Sequence, residues 1–325
     1  MAKKRMKKMV VIGAVGQIGS ELTLALRDKY GSDNVLACGR KTEPSKKLLE
    51  SGPFEKIDIT DKSTIKKVVE EYDIDTIFNM AAILSATGEE HPKICWKVNI
   101  DGLYNVMEIA RDFDMTRVFV PSSIAVFGPE TPRDNTPQET VLKPRTMYGI
   151  TKVAGELLGD YYFKKYGLDV RGVRYPGIIS SETPPGGGTT DYAVDIFYKA
   201  IKQKKYTCFV KKDTVLPMMY MPDCIKGTID LMEADISKLK HHCDFNMSSM
   251  SFSAGELANE IKKHIPEFVC TYKPDFRQDI ADSWPRSIDD SAAREEWGWN
   301  PSYNLSSMTE DMLEKLKIKL KNGEI

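Results

Sequence analysis

Short apolar blocks alternate with stretches of helical spacing through the first half of the chain. Residues 9–12 are uniformly apolar and predict a buried parallel strand, followed by a helix over 17–30. Further strands are predicted at 35–38, 56–59, 76–82, 117–120 and 169–174, with helices at 63–71, 94–113 and 148–166. Strands alternating with helices at this spacing predict an α/β fold, a Rossmann-type doubly wound parallel sheet. Right-handed crossovers then place a ligand at the carboxyl ends of the strands. Beyond Pro176 the run Pro184-Pro185-Gly186-Gly187-Gly188 breaks the alternation, and the remainder is richer in Met and Trp. These shifts predict a main domain over 1–178, with a return strand near 243–248, and a smaller C-terminal lobe over 179–325.

Composition narrows the picture. The 325 residues carry a net charge of −1, so no global field draws nucleic acid or an anionic membrane. No run approaches the ~20 apolar residues that span a bilayer. The basic opening, residues 1–8, has no apolar signal core and leads straight into the first strand. The six cysteines are dispersed, with no CxxC or Cys/His cluster, so no metal site is expected. Dispersed thiols suit a reducing compartment, and the cytoplasm is expected, with a mitochondrion as the alternative in a eukaryote.

Two motifs carry chemistry. Gly13-x-x-Gly16-x-x-Gly19 follows the first strand and opens the first helix. Gly13 would allow the tight turn, Gly16 the approach of a pyrophosphate, and Gly19 close helix packing. The N–H groups near Gln17 and Ile18 would face the phosphates. Asp58-Ile59 suits the adenine edge. The end of the second strand, where a carboxylate usually bonds the ribose of NAD, holds Gly39-Arg40-Lys41 instead, a pattern that suits a 2′-phosphate or a solvated loop. The second motif is Tyr148-x-x-x-Lys152, two side chains on one helix face. A tyrosine titrates near ~10, and an adjacent ammonium favours its anion. A hydroxyl from Ser122 or Ser123 would hold the substrate oxygen, and Asn99, inside a helix, could carry a proton-relay water. Together the motifs predict oxidation of a hydroxyl or reduction of a carbonyl.

These residues resemble the extended short-chain dehydrogenase/reductase family, through the glycine motif, Asp58-Ile59, Asn79-Met80-Ala81-Ala82, Asn99, Pro121-Ser122-Ser123, Tyr148-x-x-x-Lys152 and Arg174-Tyr175-Pro176-Gly177. Within it, Ala86-Thr87-Gly88-Glu89, the stretch from Pro185 to Ala193, the stretch from Leu216 to Asp223, and Asp282-Ser283-Trp284-Pro285 are similar to the short-chain-type L-threonine 3-dehydrogenases. The resemblance implies NAD as cofactor, no metal, and oxidation of L-threonine to 2-amino-3-oxobutyrate. It implies Tyr148 as base, with Lys152, Ser123 and Asn99. Met80, Ala81, Ala82, Tyr175 and Pro176 would join Gly13, Gly16, Gln17, Ile18, Arg40, Asp58 and Ile59 around the cofactor. Ser85, Ser122, Gly188, Thr189, Thr190 and Trp284 would hold the substrate. A homodimer through the helices at 94–113 and 148–166 is implied. The alternatives are a nucleotide-sugar epimerase or dehydratase on the same scaffold, and a non-enzymatic dinucleotide sensor.

Overall fold

A computed structural model describes residues 5–184 and 186–325. The first half of the basic opening, residues 1–4, and Pro185 of the loop break lie outside the described residues. The strands are β1 (Met9–Ile12), β2 (Val35–Gly39), β3 (Phe54–Lys56), β4 (Thr76–Asn79), β5 (Arg117–Phe119), β6 (Ser122–Ser123), β7 (Val170–Arg171), β8 (Val173–Tyr175) and β9 (Gly177–Ile179), followed by β10 (Lys205–Cys208), β11 (Val215–Tyr220), β12 (Phe245–Asn246), β13 (Met250–Ser253) and β14 (Val269–Tyr272). Six of them form a parallel sheet in the order β3-β2-β1-β4-β5-β7. The order reverses between β1 and β4, the switch point where open α/β sheets bind ligands.

The apolar run of β1 explains why helices cover both faces. Successive strand side chains point to opposite sides. Met9 and Val11 pack with Leu22 and Leu26 of the helix Gln17–Tyr30, while Val10 and Ile12 pack with Ile65, Val68 and Val106 on the other face. A third cluster gathers Phe197, Met218, Leu257 and Met312 from the C-terminal half of the chain with Phe127 and Tyr148.

Four predicted elements differ from the structure, the simplest being the strand predicted at 76–82, which ends at Asn79. The third strand is Phe54–Lys56 rather than 56–59, because Asp58 bonds Thr60 and Asp61 caps the next helix, so turn chemistry ends the pairing. Ile57 and Ile59 remain buried without being in the strand. The single strand predicted at 169–174 is two, β7 and β8. They are divided at Gly172, where a Cβ would lie 2.3 Å from the Val120 carbonyl oxygen. β8 leaves the six-stranded sheet to pair with β6 and with β12, the predicted return strand. The helix predicted over 94–113 is Pro92–Trp96 and Gly102–Asp112, joined by a π-helical turn at Lys97–Asp101 that contains Asn99. Such turns gather at functional sites.

Candidate active site

The turn after β1 is built for a close approach of backbone. Gly13 has φ +88°, and a Cβ there would lie 2.6 Å from the Ala81 nitrogen. At Gly19 a Cβ would lie 2.2 Å from the Gly13 carbonyl oxygen. A side chain at Gly13 would push the turn off the segment after β4, and one at Gly19 would push the helix Gln17–Tyr30 off the turn. Gly16 caps that helix without a side-chain acceptor, so the cap contributes no group that would compete for the first-turn N–H donors. The side-chain nitrogen Nε2 of Gln17 is buried with no partner among the described residues, a donor left for a ligand at the same helix start. Two cavities flank this turn and share Gly16, Met80 and Ala82 in their walls. One is lined by Gly13, Arg40, Asp58, Ile59 and Ala81. The other is lined by Gln17, Ile18, Ser85, Ser122, Ser123, Tyr148, Lys152, Tyr175, Pro176, Gly188, Thr189, Thr190 and Trp284. The orphan donor, the glycine cradle and the paired cavities fit an extended dinucleotide, with adenosine in the first cavity and nicotinamide in the second.

Tyr148 owes its place to the start of its helix, Met147–Tyr166. Thr146 caps that helix, its hydroxyl accepting from the Gly149 nitrogen at 3.0 Å. Gly149 lets the first turn press on the neighbouring segment, since a Cβ there would lie 2.2 Å from the Ala125 carbonyl oxygen. One turn on, the Lys152 ammonium donates to the Pro121 carbonyl at 2.7 Å and stands 5.4 Å from the centre of the Tyr148 ring. Burial pushes the Tyr148 phenol up to about 12, and the Ser123 hydroxyl beside it pulls the other way. Burial pushes Lys152 down to about 8. Lys152 alone therefore does not poise the phenol near neutral pH. Removal from water costs the phenolate more than the neighbouring groups return, and Lys152 points at Pro121 rather than at the phenol oxygen.

Several predicted residues are committed to protein partners. Both ends of the Asn99 amide are engaged: the oxygen accepts from the Ile83 nitrogen at 2.8 Å, and the nitrogen donates to Ile83 oxygen at 3.0 Å and Thr151 at 3.1 Å. Its side chain fixes the loop after β4. The hydroxyl hydrogen of Ser122 goes to Glu156, so Ser122 can offer a substrate only acceptor capacity. Ser85 and Thr189 bond each other at 3.0 Å. The Tyr175 hydroxyl is tied to Thr228, which leaves its ring and backbone facing the cavity. Asp58 accepts from Thr60 at 2.9 Å, and its second oxygen lies 3.5 Å from Arg40.

Two elements of the site had no assigned role in the sequence. Glu156 forms a buried two-point ion pair with Arg174, both contacts at 2.9 Å. It lies one turn beyond Lys152 on the same helix, and that spacing was the available signal. Asp191 accepts from the Gly187 and Gly188 nitrogens at 2.7 and 2.8 Å and gives the glycine-rich loop its shape. Nothing in a Gly-Gly-Gly run identifies which later acid will cap it.

Comparison with known proteins agrees with this geometry. A model of the NAD dependent epimerase/dehydratase family matches residues 9–247. An uncharacterized epimerase/dehydratase of Staphylococcus haemolyticus is 48% identical over 98% of this chain and 100% of its own length. The structure of L-threonine dehydrogenase from Clostridium difficile superposes with a TM-score of 0.95 at 52% identity, covering 97% of this chain and 99% of that one. A monomeric L-threonine 3-dehydrogenase from a metagenome superposes with a TM-score of 0.92 at 50% identity, covering 95% and 99%. The chain is an enzyme that belongs to the NAD dependent epimerase/dehydratase family, and NAD is its cofactor.

Proposed function

We propose that this enzyme oxidises L-threonine at its β-hydroxyl to 2-amino-3-oxobutyrate. The observation that carries the reading is the loop at 187–190, clamped by Asp191 and Ser85 over the cavity that holds Tyr148. With its Gly187, Gly188 and Thr189 N–H groups spent on holding its own shape, the loop presents the Thr190 hydroxyl, which with Ser123 and Tyr148 makes a compact polar wall suited to a small zwitterion. Similarity to solved L-threonine dehydrogenases at about half identity supports the same reading.

Ser123 holds the substrate hydroxyl oxygen while Tyr148, as phenolate, takes its proton as general base. NAD held along the glycine turn and beside Lys152 would supply the hydride acceptor for the β-carbon and a positive charge beside the phenol. Lys152 adds a second, and the two oppose the burial that raises the phenol. Trp284, only 4% exposed, closes the cavity wall against water. Asn99 and Ser122 act through others: Asn99 fixes the loop at Ile83, and Ser122 bonds the Glu156–Arg174 pair behind Lys152.

A nucleotide-sugar substrate would need cations for its diphosphate. Among the described residues lining the cavity, Lys152 is the only cation. The test is NADH formation with L-threonine, set beside L-serine, L-allo-threonine and UDP-sugars. Turnover with threonine alone supports the reading, and turnover of a UDP-sugar without net NADH defeats it.

We also propose a boundary between the cofactor domain and the substrate lobe near residue 178, and a homodimer. Leu157 is 65% exposed and Tyr161 48%, on the helix beside Tyr104, which is 50% exposed. Such a shared apolar face is expected to be covered by a second copy. Size-exclusion chromatography with light scattering tests this, and a strict monomer at micromolar concentration rejects it.

A further inference from the structure

We propose that the adenosine end of the cofactor cavity contains a 2′-phosphate subsite formed by Arg40, Lys41 and Thr42, so that the enzyme binds NADP as well as NAD. This rests on the reading that the cavity beside Gly13 takes the adenosine half of the dinucleotide, and it is independent of the substrate. Sites that reject NADP place a carboxylate at the end of the second strand, where it bonds the ribose hydroxyls and repels a phosphate. Here β2 ends in Gly39, which has no side chain, and a Cβ at that position would lie 3.1 Å from both Phe54 Cζ and Val15 Cγ1. The next three residues, Arg40, Lys41 and Thr42, all line the cavity.

The charge balance at that wall is positive. Two cations face one carboxylate, Asp58, and one of its oxygens is already held by Thr60. Arg40 Nη1 lies 3.5 Å from the other oxygen, a single contact that holds the guanidinium at the cavity and leaves its remaining donors available. The nearby Glu43 is paired with Lys56 at 2.5 Å. A phosphate monoester carries roughly −1.5 to −2 charges at neutral pH, so this wall attracts it.

The test is equilibrium binding of NADH and NADPH to the purified protein, read by nicotinamide fluorescence without substrate. NADPH should bind within about tenfold of NADH, equivalent to about 1.4 kcal/mol. Arg40→Ala should weaken NADPH by roughly 10–100-fold, as expected for a lost charged hydrogen bond, and NADH by several-fold at most. Lys41→Ala should act in the same direction, and added salt should weaken NADPH more than NADH. Both side chains are exposed, so neither variant threatens folding. Wild-type NADPH binding more than about 100-fold weaker than NADH would overturn the proposal. Equal weakening of both cofactors by Arg40→Ala would also overturn it, since that marks stacking on adenine. Either result leaves the threonine reading untouched.

Discussion

The hydroxyls of Ser85 and Thr189 meet at 3.0 Å across 104 residues of sequence. The Thr189 nitrogen also donates to Ser85 at 3.3 Å. Both residues are buried, so this pair ties the glycine-rich loop to the helix that follows β4. Ser85→Ala should release the loop. The KM for L-threonine should rise by roughly 5–30-fold, the equivalent of about 1–2 kcal/mol for a buried hydrogen bond left unpaired. Affinity for NAD should stay the same, because the glycine turn at 13–19 is not in contact with this pair. Parallel loss of cofactor binding would show that the contact supports the whole cavity instead.

Asp191 shapes the same loop from its other end. Asp191→Asn keeps the size of the side chain but weakens the bonds from Gly187 and Gly188. Thr190→Ala removes a hydroxyl from the cavity wall. Each should lower kcat/KM for threonine, by about 1–3 kcal/mol in the case of Thr190. Isothermal titration with NAD should show little change in either. An Asn variant with unaltered kinetics would mean that the loop holds its shape without the carboxylate.

Ser123 lowers the phenol that burial raises. Its removal should therefore move the Tyr148 titration to higher pH. The rate should climb with pH as the phenol loses its proton, and in Ser123→Ala this limb should lie further toward alkaline pH, at a reduced plateau. A pH–rate profile measures this. A limb that stays in place would show that Ser123 holds substrate without tuning the base.

Lys152 is pushed down to about 8 from an ordinary 10.5. The unfolded chain then binds more protons than the folded one between these values, so stability rises with pH across that window. Below about 8 the folded protein carries the full cost of a buried ammonium. Lys152→Met removes the cost along with the activity. At pH 7 the variant should gain on the order of 1–2 kcal/mol in urea unfolding, less whatever the lost bond to Pro121 contributed. By pH 10 the gain should have largely disappeared. A variant less stable at pH 7 would show that the Pro121 contact outweighs the desolvation.

Much of the fold was legible because β1 and its neighbours are buried on both faces, and such strands are unbroken apolar runs. The glycine turn was legible for a related reason, since Gly13 and Gly19 leave no room for a side chain. Element ends were less so. Ile57 and Ile59 are as buried as strand residues, yet the chain there obeys Asp58 and Asp61. Tyr148 and Lys152 were readable from their spacing, but the sign of the phenol's shift was not. It depends on how much water the lobe excludes and on where the Lys152 ammonium points. The commitments of Asn99, Ser122 and Ser85 were invisible too, because each partner lies on another element: Ile83 and Thr151, Glu156, and Thr189.

The most direct measurement is threonine-dependent NADH formation by Tyr148→Phe beside the wild type, with NAD affinity measured on the same samples. The ring stays in its buried place beside Lys152, so the fold and NAD binding should be retained. Only the acid–base oxygen is lost, and general acid–base groups contribute roughly 10²–10⁴-fold, so the rate should fall by at least that order. Near-normal oxidation of threonine by Tyr148→Phe, with NAD still bound, would contradict the assignment of the base and the mechanism built on it.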